Sequence, residues 1–198
     1  MISATDLLSF LPSLAMAVAL SASAGLRAWL PLLAAGLLGR FDVVELGEAF
    51  AFMESTPALV AFGIATVLEI VADKVPVLDH GLDAVSTVVR PLAATLLSAA
   101  VMFQINDPLW ALGLGLIVGA PMALVPHAAK SGVRVASTTT TAGLANPIVS
   151  LLEDIASLVM IALAIVIPII AAIVVITVAL FAWRWWRRRN EPHTSTTR

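Results

Sequence analysis

Long apolar runs alternate with short polar segments along the whole chain. The runs cover approximately residues 7–24, 57–72, 91–105, 109–128, 148–166 and 168–182. A helix needs about 20 mainly apolar residues to cross the hydrocarbon core of a bilayer, and several of these runs approach that length. Without a break at Pro168, a single helix from Glu153 to Trp183 would be about 46 Å long, well beyond a core of about 30 Å. The pattern therefore predicts an all-α membrane protein with about six transmembrane helices.

Two further apolar segments are too short to cross. Residues 28–39 would form only about 18 Å of helix, so they predict a half-helix that enters the membrane and returns. A second half-helix is predicted at residues 133–144. Residues 40–55 mix acids with apolar residues near helical spacing, which indicates a short amphipathic helix at the interface, or else a solvated loop.

The second half-helix is predicted because the two halves of the chain resemble each other. Gly25 and Arg27 align with Gly132 and Arg134 at a separation of 107 residues. The Ala-Gly-Leu tripeptides at 35–37 and 142–144 have the same separation. We interpret the chain as two diverged copies of one membrane unit.

Each copy contains three predicted spans. Because three is odd, tandem copies must insert with opposite topology, which is the inverted-repeat plan of many secondary transporters. The predicted organisation is a first membrane repeat at 1–106, a second at 107–189 and a polar tail at 190–198.

Composition supports an integral membrane protein and excludes several other classes. The chain is 60% hydrophobic and 12% charged, about half the charged fraction of a soluble domain. It has no cysteine, which excludes disulfides and thiolate chemistry. No hydrolase, metalloprotease, P-loop or dinucleotide-binding motif occurs, so we expect neither an enzyme nor a cofactor.

The distribution of Lys and Arg predicts an orientation. With six spans both termini lie on one side, and nine Lys and Arg residues then fall on that side against two on the other. The nine are Lys74, Arg90, Lys130, Arg134, Arg184, Arg187, Arg188, Arg189 and Arg198, and the two are Arg27 and Arg40. The positive-inside rule then places both termini in the cytoplasm. The basic C-terminal cluster indicates contact with anionic lipid rather than with nucleic acid.

Carboxylates within the apolar runs are the main candidates for function. Glu69 and Asp73 are four residues apart, on one face of a helix. An ionised group at such a depth costs several kcal/mol unless it is paired or hydrated, and such groups commonly mark function. We expect Glu69 and Glu153 to meet near the midplane and to bind a proton or a hard divalent cation. The alternative is a structural ion pair with Arg27, Arg134 or Lys74.

The other candidate residues have weaker roles. Asp154 points about 100° away from Glu153 on a helix, and stabilisation of a helix start explains it better than ion binding does. Arg27 and Arg134 precede the predicted half-helices, where they either pair with the carboxylates or bind an anion. Thr138 and Asn146 belong to a polar segment that could line a cavity or hydrogen-bond the backbone of a broken helix.

Several motifs together resemble a known family. They are Gly25-Leu-Arg-Ala-Trp-Leu-Pro31, Glu69-Ile-Val-Ala-Asp-Lys-Val-Pro76, Asp83 with Arg90-Pro91, Lys130-Ser-Gly-Val-Arg134 and Asn146-Pro147 with Ser150-Leu-Leu-Glu-Asp154. This combination resembles the bacterial membrane family DUF4126 over about residues 20–166. The resemblance implies an integral membrane fold in a bacterial inner membrane. The segment after Glu69 is also similar to the Glu-x-Gly-Asp-Lys/Arg motif of a cation/proton exchanger family, with one residue more and no glycine.

Three hypotheses for function follow. The first is a small inner-membrane transporter or channel for an ion, either proton-coupled or for a divalent cation. The second is a non-transporting membrane scaffold whose buried ion pairs hold the repeats together. The third is a protein that binds an anion or a lipid headgroup. The expected partners are the lipid bilayer and an inorganic ion, and a homodimer is also compatible with the sequence.

Overall fold

The computed structural model describes residues 4–73, 76–102 and 104–189, and all regular structure within them is helical. The α-helices of this part are α1 (Ala4–Leu26), α2 (Trp29–Arg40), α3 (Thr56–Ala72), α4 (Pro76–Val101), α5 (Pro108–Thr141), α6 (Asn146–Val166) and α7 (Pro168–Arg189), with a 3-10 helix at Glu48–Glu54. The predicted all-α class is confirmed. Lys74 and the predicted tail 190–198 lie outside the described residues.

Two helices are long and apolar enough to cross a membrane, as judged over the described residues. They are α5 and α6, and the 3-10 helix together with α3, bent by 63°, would make a third span. The apolar parts of α1, α2 and α4 are shorter. Length and composition therefore support two to three spans, and the six-span inverted repeat stays a prediction.

Helix starts follow local sequence signals. Ser55 caps α3 by accepting a hydrogen bond from the amide of Ala58, and a proline follows in the first turn. Asp107 caps α5 through the amides of Leu109 and Trp110 at 2.8 and 3.2 Å, again with a proline next. A short polar acceptor before a proline satisfies amides that have no partner within the helix. Proline also separates α6 from α7, at the predicted break near Pro168.

Helix α1 is the centre of the bundle and packs against α4, α5, α6 and α7. Its buried face consists largely of alanine and serine, which let helix backbones approach closely. Two serines of α1 form hydrogen bonds to neighbouring helices: Ser21 Oγ lies 2.7 Å from Ser98 Oγ on α4, and Ser23 Oγ lies 2.8 Å from Ser157 Oγ on α6. Small residues therefore determine the spacing at the centre.

The interface between α4 and α5 depends on two glycines spaced four residues apart. A Cβ atom at Gly115 or Gly119 would overlap the backbone of α4 at Thr95 or Ala94. Small residues at this spacing are typical of close helix pairs in membranes. The two helices consequently make the most extensive contact in the described bundle.

The short helix predicted at residues 28–39 is present, and the segment 40–55 after it contains a different kind of helix from the one predicted. Helix α2 coincides with residues 28–39 to within one residue at each end. The segment 40–55 contains the short 3-10 helix, not an amphipathic α-helix, and buries Phe50 and Met53. The backbone carbonyl of Met53 packs directly against Gly36 of α2, where the Cβ atom of any other residue would overlap it. The segment therefore packs against α2, and its location at a membrane interface stays a prediction.

The second half-helix, predicted at 133–144, does not form a separate element. Helix α5 continues without a break to Thr141, where Ala142 adopts a left-handed conformation with φ of 51°. Lys130 and Arg134 are compatible with a continuous helix because both are paired with acids. Thr139, Thr140 and Thr141 donate to backbone carbonyls three or four residues earlier, for example Thr141 to Ser137 at 2.7 Å. This satisfies their hydroxyls within the helix.

Helix α4 likewise runs through the predicted start of the third span. Arg90-Pro91 lies inside one helix of 26 residues, with Pro91 in its interior. Residues 104–107 separate α4 from α5, so the predicted boundary between the repeats falls in a linker. The two halves nevertheless differ in local structure, since one has a separate short helix where the other has the end of α5.

Candidate functional site

Four acids and four bases from different helices meet inside the bundle, and we call them the charge cluster. The acids are Glu69, Asp73, Glu153 and Asp154, and the bases are Arg27, Arg90, Lys130 and Arg134. Each of these acids contacts at least one of these bases. Buried charges are costly unless they are paired and hydrogen-bonded, and the equal numbers make the cluster neutral when all eight groups are ionised.

Asp73 and Glu153 form the centre of the charge cluster. Lys130 Nζ lies 2.9 Å from Asp73 Oδ2 and 3.0 Å from Glu153 Oε2. Arg134 Nη2 lies 3.1 and 3.2 Å from the same two oxygens. Two bases of α5 therefore bridge a carboxylate at the end of α3 and one in α6.

Arg27 occupies the junction between α1 and α2 and is fully buried. Its Nη1 donates to Asp73, and its Nη2 donates to the hydroxyl of Ser150 at 2.9 Å. Its Nε lies 2.6 Å from Asp154 Oδ1, an ion pair without hydrogen-bond alignment. One guanidinium thus connects the α1–α2 junction to the end of α3 and to α6.

Glu69 has a separate role at the start of α2. Its carboxylate accepts hydrogen bonds from the amides of Ala28 at 3.1 Å and Trp29 at 3.3 Å, and lies 3.4 Å from Arg90 Nη2. A carboxylate at a helix N-terminus compensates the partial positive charge of the unpaired amides. Arg90 also donates to the carbonyls of Gly25 and Leu26. Glu69 and Arg90 therefore stabilise the junction at which α1 ends and α2 begins.

The predicted meeting of Glu69 with Glu153 is replaced by a different pairing. Asp73, not Glu69, shares Lys130 and Arg134 with Glu153. Glu69 lies one helical turn before Asp73 and is directed to the α2 amides. The charge cluster does connect the two halves of the chain, but through Asp73 and not through Glu69.

Thr138 and Asn146 contact each other instead of a carboxylate. Asn146 Nδ2 donates to Thr138 Oγ1 at 3.2 Å, and Thr141 Oγ1 accepts from the amide of Ala145 at 3.2 Å. These bonds connect the end of α5 to the start of α6. The contacts are those of a connection between two helices.

Arg90 and Lys130 belong to the charge cluster but were not predicted as site residues. Lys130 lies one turn before Arg134, so the two side chains share a helix face, and this spacing was a readable signal. Arg90 was counted only among the charges that indicate orientation. The four bases of the charge cluster are buried and are therefore poor indicators of orientation. Without them, six Lys and Arg residues lie on the predicted cytoplasmic side and one lies on the other, so the predicted orientation does not change.

A cavity of about 430 Å³ adjoins the charge cluster between α1, α5, α6 and α7. Its lining is almost entirely aliphatic and includes Leu26, Met122, Val149 and Val178. The two charged residues in its wall are Lys130 and Glu153. A cavity of this size is within the range of small-molecule sites.

No group of three His, Cys, Asp or Glu suited to a metal ion occurs among the residues whose positions are described. A divalent cation at Glu153 would have to displace Lys130 and Arg134, which occupy its oxygens. The carboxylates are arranged for contact with side-chain cations, and a divalent ion would need several further oxygen ligands.

The fold and the site define the chain as a helical membrane protein with a neutral charge cluster beside an apolar cavity. Residues 14–188 match the family described as "Domain of unknown function (DUF4126)", and the protein belongs to that family. The resemblance noted from the motifs is thereby confirmed. No curated protein and no solved structure matches the chain.

Proposed function

We propose that the protein is a membrane carrier that couples the binding of a proton to the movement of an ion. The observation that carries this proposal is the position of Lys130, which bridges Asp73 and Glu153 and also forms part of the cavity wall with Glu153. A change of charge in the cavity would act directly on the bridge between α3 and α6.

The electrostatic balance supports coupling. The charge cluster is neutral with eight ionised groups, so an added proton or an added cation leaves one uncompensated charge in a poorly hydrated site. Adding both a proton and a cation to the charge cluster would cost more free energy than adding either one alone. Proton and cation would therefore compete, which is the thermodynamic basis of an exchange.

The orientation that we propose has both termini in the cytoplasm of a bacterium, in the inner membrane. It is supported by the C-terminal basic residues, of which Arg184 and Arg187 are exposed, and by Arg187 stacking on Trp183 at 5.3 Å from the ring centroid. Aromatic residues followed by arginines are typical of a cytoplasmic membrane interface. The six-span inverted repeat remains our proposed topology.

The proposal is tested by proton flux in proteoliposomes that contain a trapped pH indicator. A concentration gradient of the transported ion should drive proton movement in the parent, with small inorganic and organic ions tested in turn, while potassium and valinomycin hold the membrane potential at zero. Glu153→Gln and Asp73→Asn should each reduce the rate at least tenfold. Glu48→Gln, which changes an exposed acid outside the charge cluster, should leave the rate unchanged.

A structural scaffold is the second candidate, because each acid of the charge cluster is paired with a base. It predicts no flux under any gradient in the parent, together with strongly lowered thermal stability of Glu153→Gln. That combination would replace the carrier proposal.

A further inference from the structure

The cavity beside the charge cluster combines an apolar wall with one acid and one base, Glu153 and Lys130. About 430 Å³ is roughly three times the volume of an engineered apolar cavity that binds benzene. The aliphatic wall offers few ligands to an inorganic ion, which would lose hydration on entry. A molecule with apolar surface would instead gain free energy from contact with the wall.

The charge preferred at the wall follows from the exposure of its two charged side chains. The side chain of Glu153 is 8% exposed and that of Lys130 is 1% exposed. The acid therefore presents more of its surface, while the ammonium group is enclosed between Asp73 and Glu153. Lys130 and Glu153 are the two charged residues of the wall, so Glu153 would be the counter-charge of a cation in the cavity.

Lys130 also differs chemically from the other three bases. Arginine does not lose its proton in proteins, whereas a buried lysine does so readily. Lys130 faces Asp73 at the end of α3 and Glu153 on α6, and Arg90 on α4 and Arg134 on α5 are close enough to repel it. It is thus the base of the charge cluster able to change its charge.

We propose that the cavity binds a lipophilic organic cation and that Lys130 releases a proton in exchange. The Lys130 ammonium transfers one proton to water and becomes a neutral amine, while the positive charge of the ligand takes its place beside Glu153. One positive charge enters and one leaves, so the charge cluster stays neutral. This inference rests on the proposed carrier function for its physiological meaning, but binding is measurable without transport.

The probe is tetraphenylphosphonium, titrated into the purified full chain in detergent by calorimetry. Binding that releases one proton strengthens by about tenfold per pH unit over the range in which only the free protein keeps the Lys130 proton. In weak buffer, a pH indicator should record about one proton released per ligand bound. Tetraphenylborate has a similar shape and the opposite charge, and should not bind the cavity.

Two substitutions of Lys130 separate a proton-exchange role from a structural one. Lys130→Arg keeps a permanent charge and should lose tetraphenylphosphonium binding at least tenfold at alkaline pH. Lys130→Met removes the charge and should retain binding, with no proton release and no dependence on pH. His127 is a buried titratable neighbour in α5, bonded to Thr87 at 3.3 Å, and His127→Gln should keep the proton release of the parent.

A further pair of variants tests the location. Ala156 is exposed in the cavity wall, so Ala156→Phe should abolish binding while leaving the melting temperature nearly unchanged. Ala162→Phe introduces the same side chain at an exposed position of α6 that does not line the cavity, and should bind like the parent.

Each result has a defined meaning. Absence of tetraphenylphosphonium binding by the folded parent, equal binding of tetraphenylborate, or unchanged pH dependence in Lys130→Met would overturn the inference. Ion-coupled proton flux without binding of the lipophilic cation would sustain the carrier proposal and refute this ligand class. Binding of the lipophilic cation with proton release, but without flux, would sustain this ligand class and refute the carrier proposal.

Discussion

The substitution Asp73→Asn provides the most direct measure of how the charge cluster contributes to stability. Asp73 Oδ2 contacts Arg27, Lys130 and Arg134, so the change leaves these three bases with only Glu153 and Asp154 as partners. Removing one partner of a buried ion pair destabilises a protein by about 3–5 kcal/mol. For a chain of 150–250 residues, 1 kcal/mol corresponds to about 2–4 °C in melting temperature. We therefore expect a decrease of about 6–20 °C.

The assay is thermal unfolding in detergent, followed by circular dichroism and by intrinsic tryptophan fluorescence. A second variant combines Asp73→Asn with Lys130→Met, which restores equal numbers of acids and bases. Its destabilisation should be smaller than the sum of the two single changes by about 0.5–3 kcal/mol, the range found for coupled neighbours. Glu48→Gln is the matched control on an exposed acid and should lie within about 0.5 kcal/mol of the parent.

Two outcomes would refute this reasoning. One is a melting temperature of Asp73→Asn within about 1 °C of the parent, which would mean that the charges are solvated or unpaired in solution. The other is strict additivity in the double variant, which would mean that Asp73 and Lys130 do not interact.

Three further predictions concern the packing around the site. Gly119→Val should destabilise the protein by about 1–3 kcal/mol because its side chain would overlap α4, whereas Gly113→Val, which meets open space, should have a much smaller effect on the same melting curve. Glu69→Gln weakens the capping of α2 and should cost about 1–2 kcal/mol, with faster hydrogen exchange in the first turn of α2; unchanged exchange would contradict the capping role. Ser21→Ala removes the bond to Ser98 and should cost about 0.6 kcal/mol, and adding Ser98→Ala should cost little more if the bond is the cause.

Much of the helical framework was predictable because it depends on local signals. The apolar runs, the caps at Ser55 and Asp107 and the proline near residue 168 operate over a few residues, and the helices begin or end near them. The short helix α2 was also predictable, since residues 28–39 are too few to cross and Arg27 interrupts the apolar run before them. Family membership followed from motifs that extend over most of the chain.

Prediction from local signals was wrong where contacts with distant residues satisfy the polar groups of a segment. The internal repeat and the polar segment with Thr138 and Asn146 suggested a break in the second half, but ion pairs and backbone hydrogen bonds let α5 continue to Thr141. Arg90 was counted only as an orientation signal, because nothing near it in sequence shows the carbonyls of Gly25 and Leu26 to which it donates. Internal similarity indicates common descent of two segments, and it does not require that both fold alike.

The sequence by itself determined that this is a helical membrane protein with acids and bases placed inside apolar segments, because hydrophobicity and helix capping are properties of neighbouring residues. Only the tertiary structure decided which charges meet. A one-turn difference separates Glu69, which caps α2, from Asp73, which shares Lys130 with Glu153. That difference depends on the rotation and depth of each helix in the bundle, which are set by contacts between residues far apart in the chain.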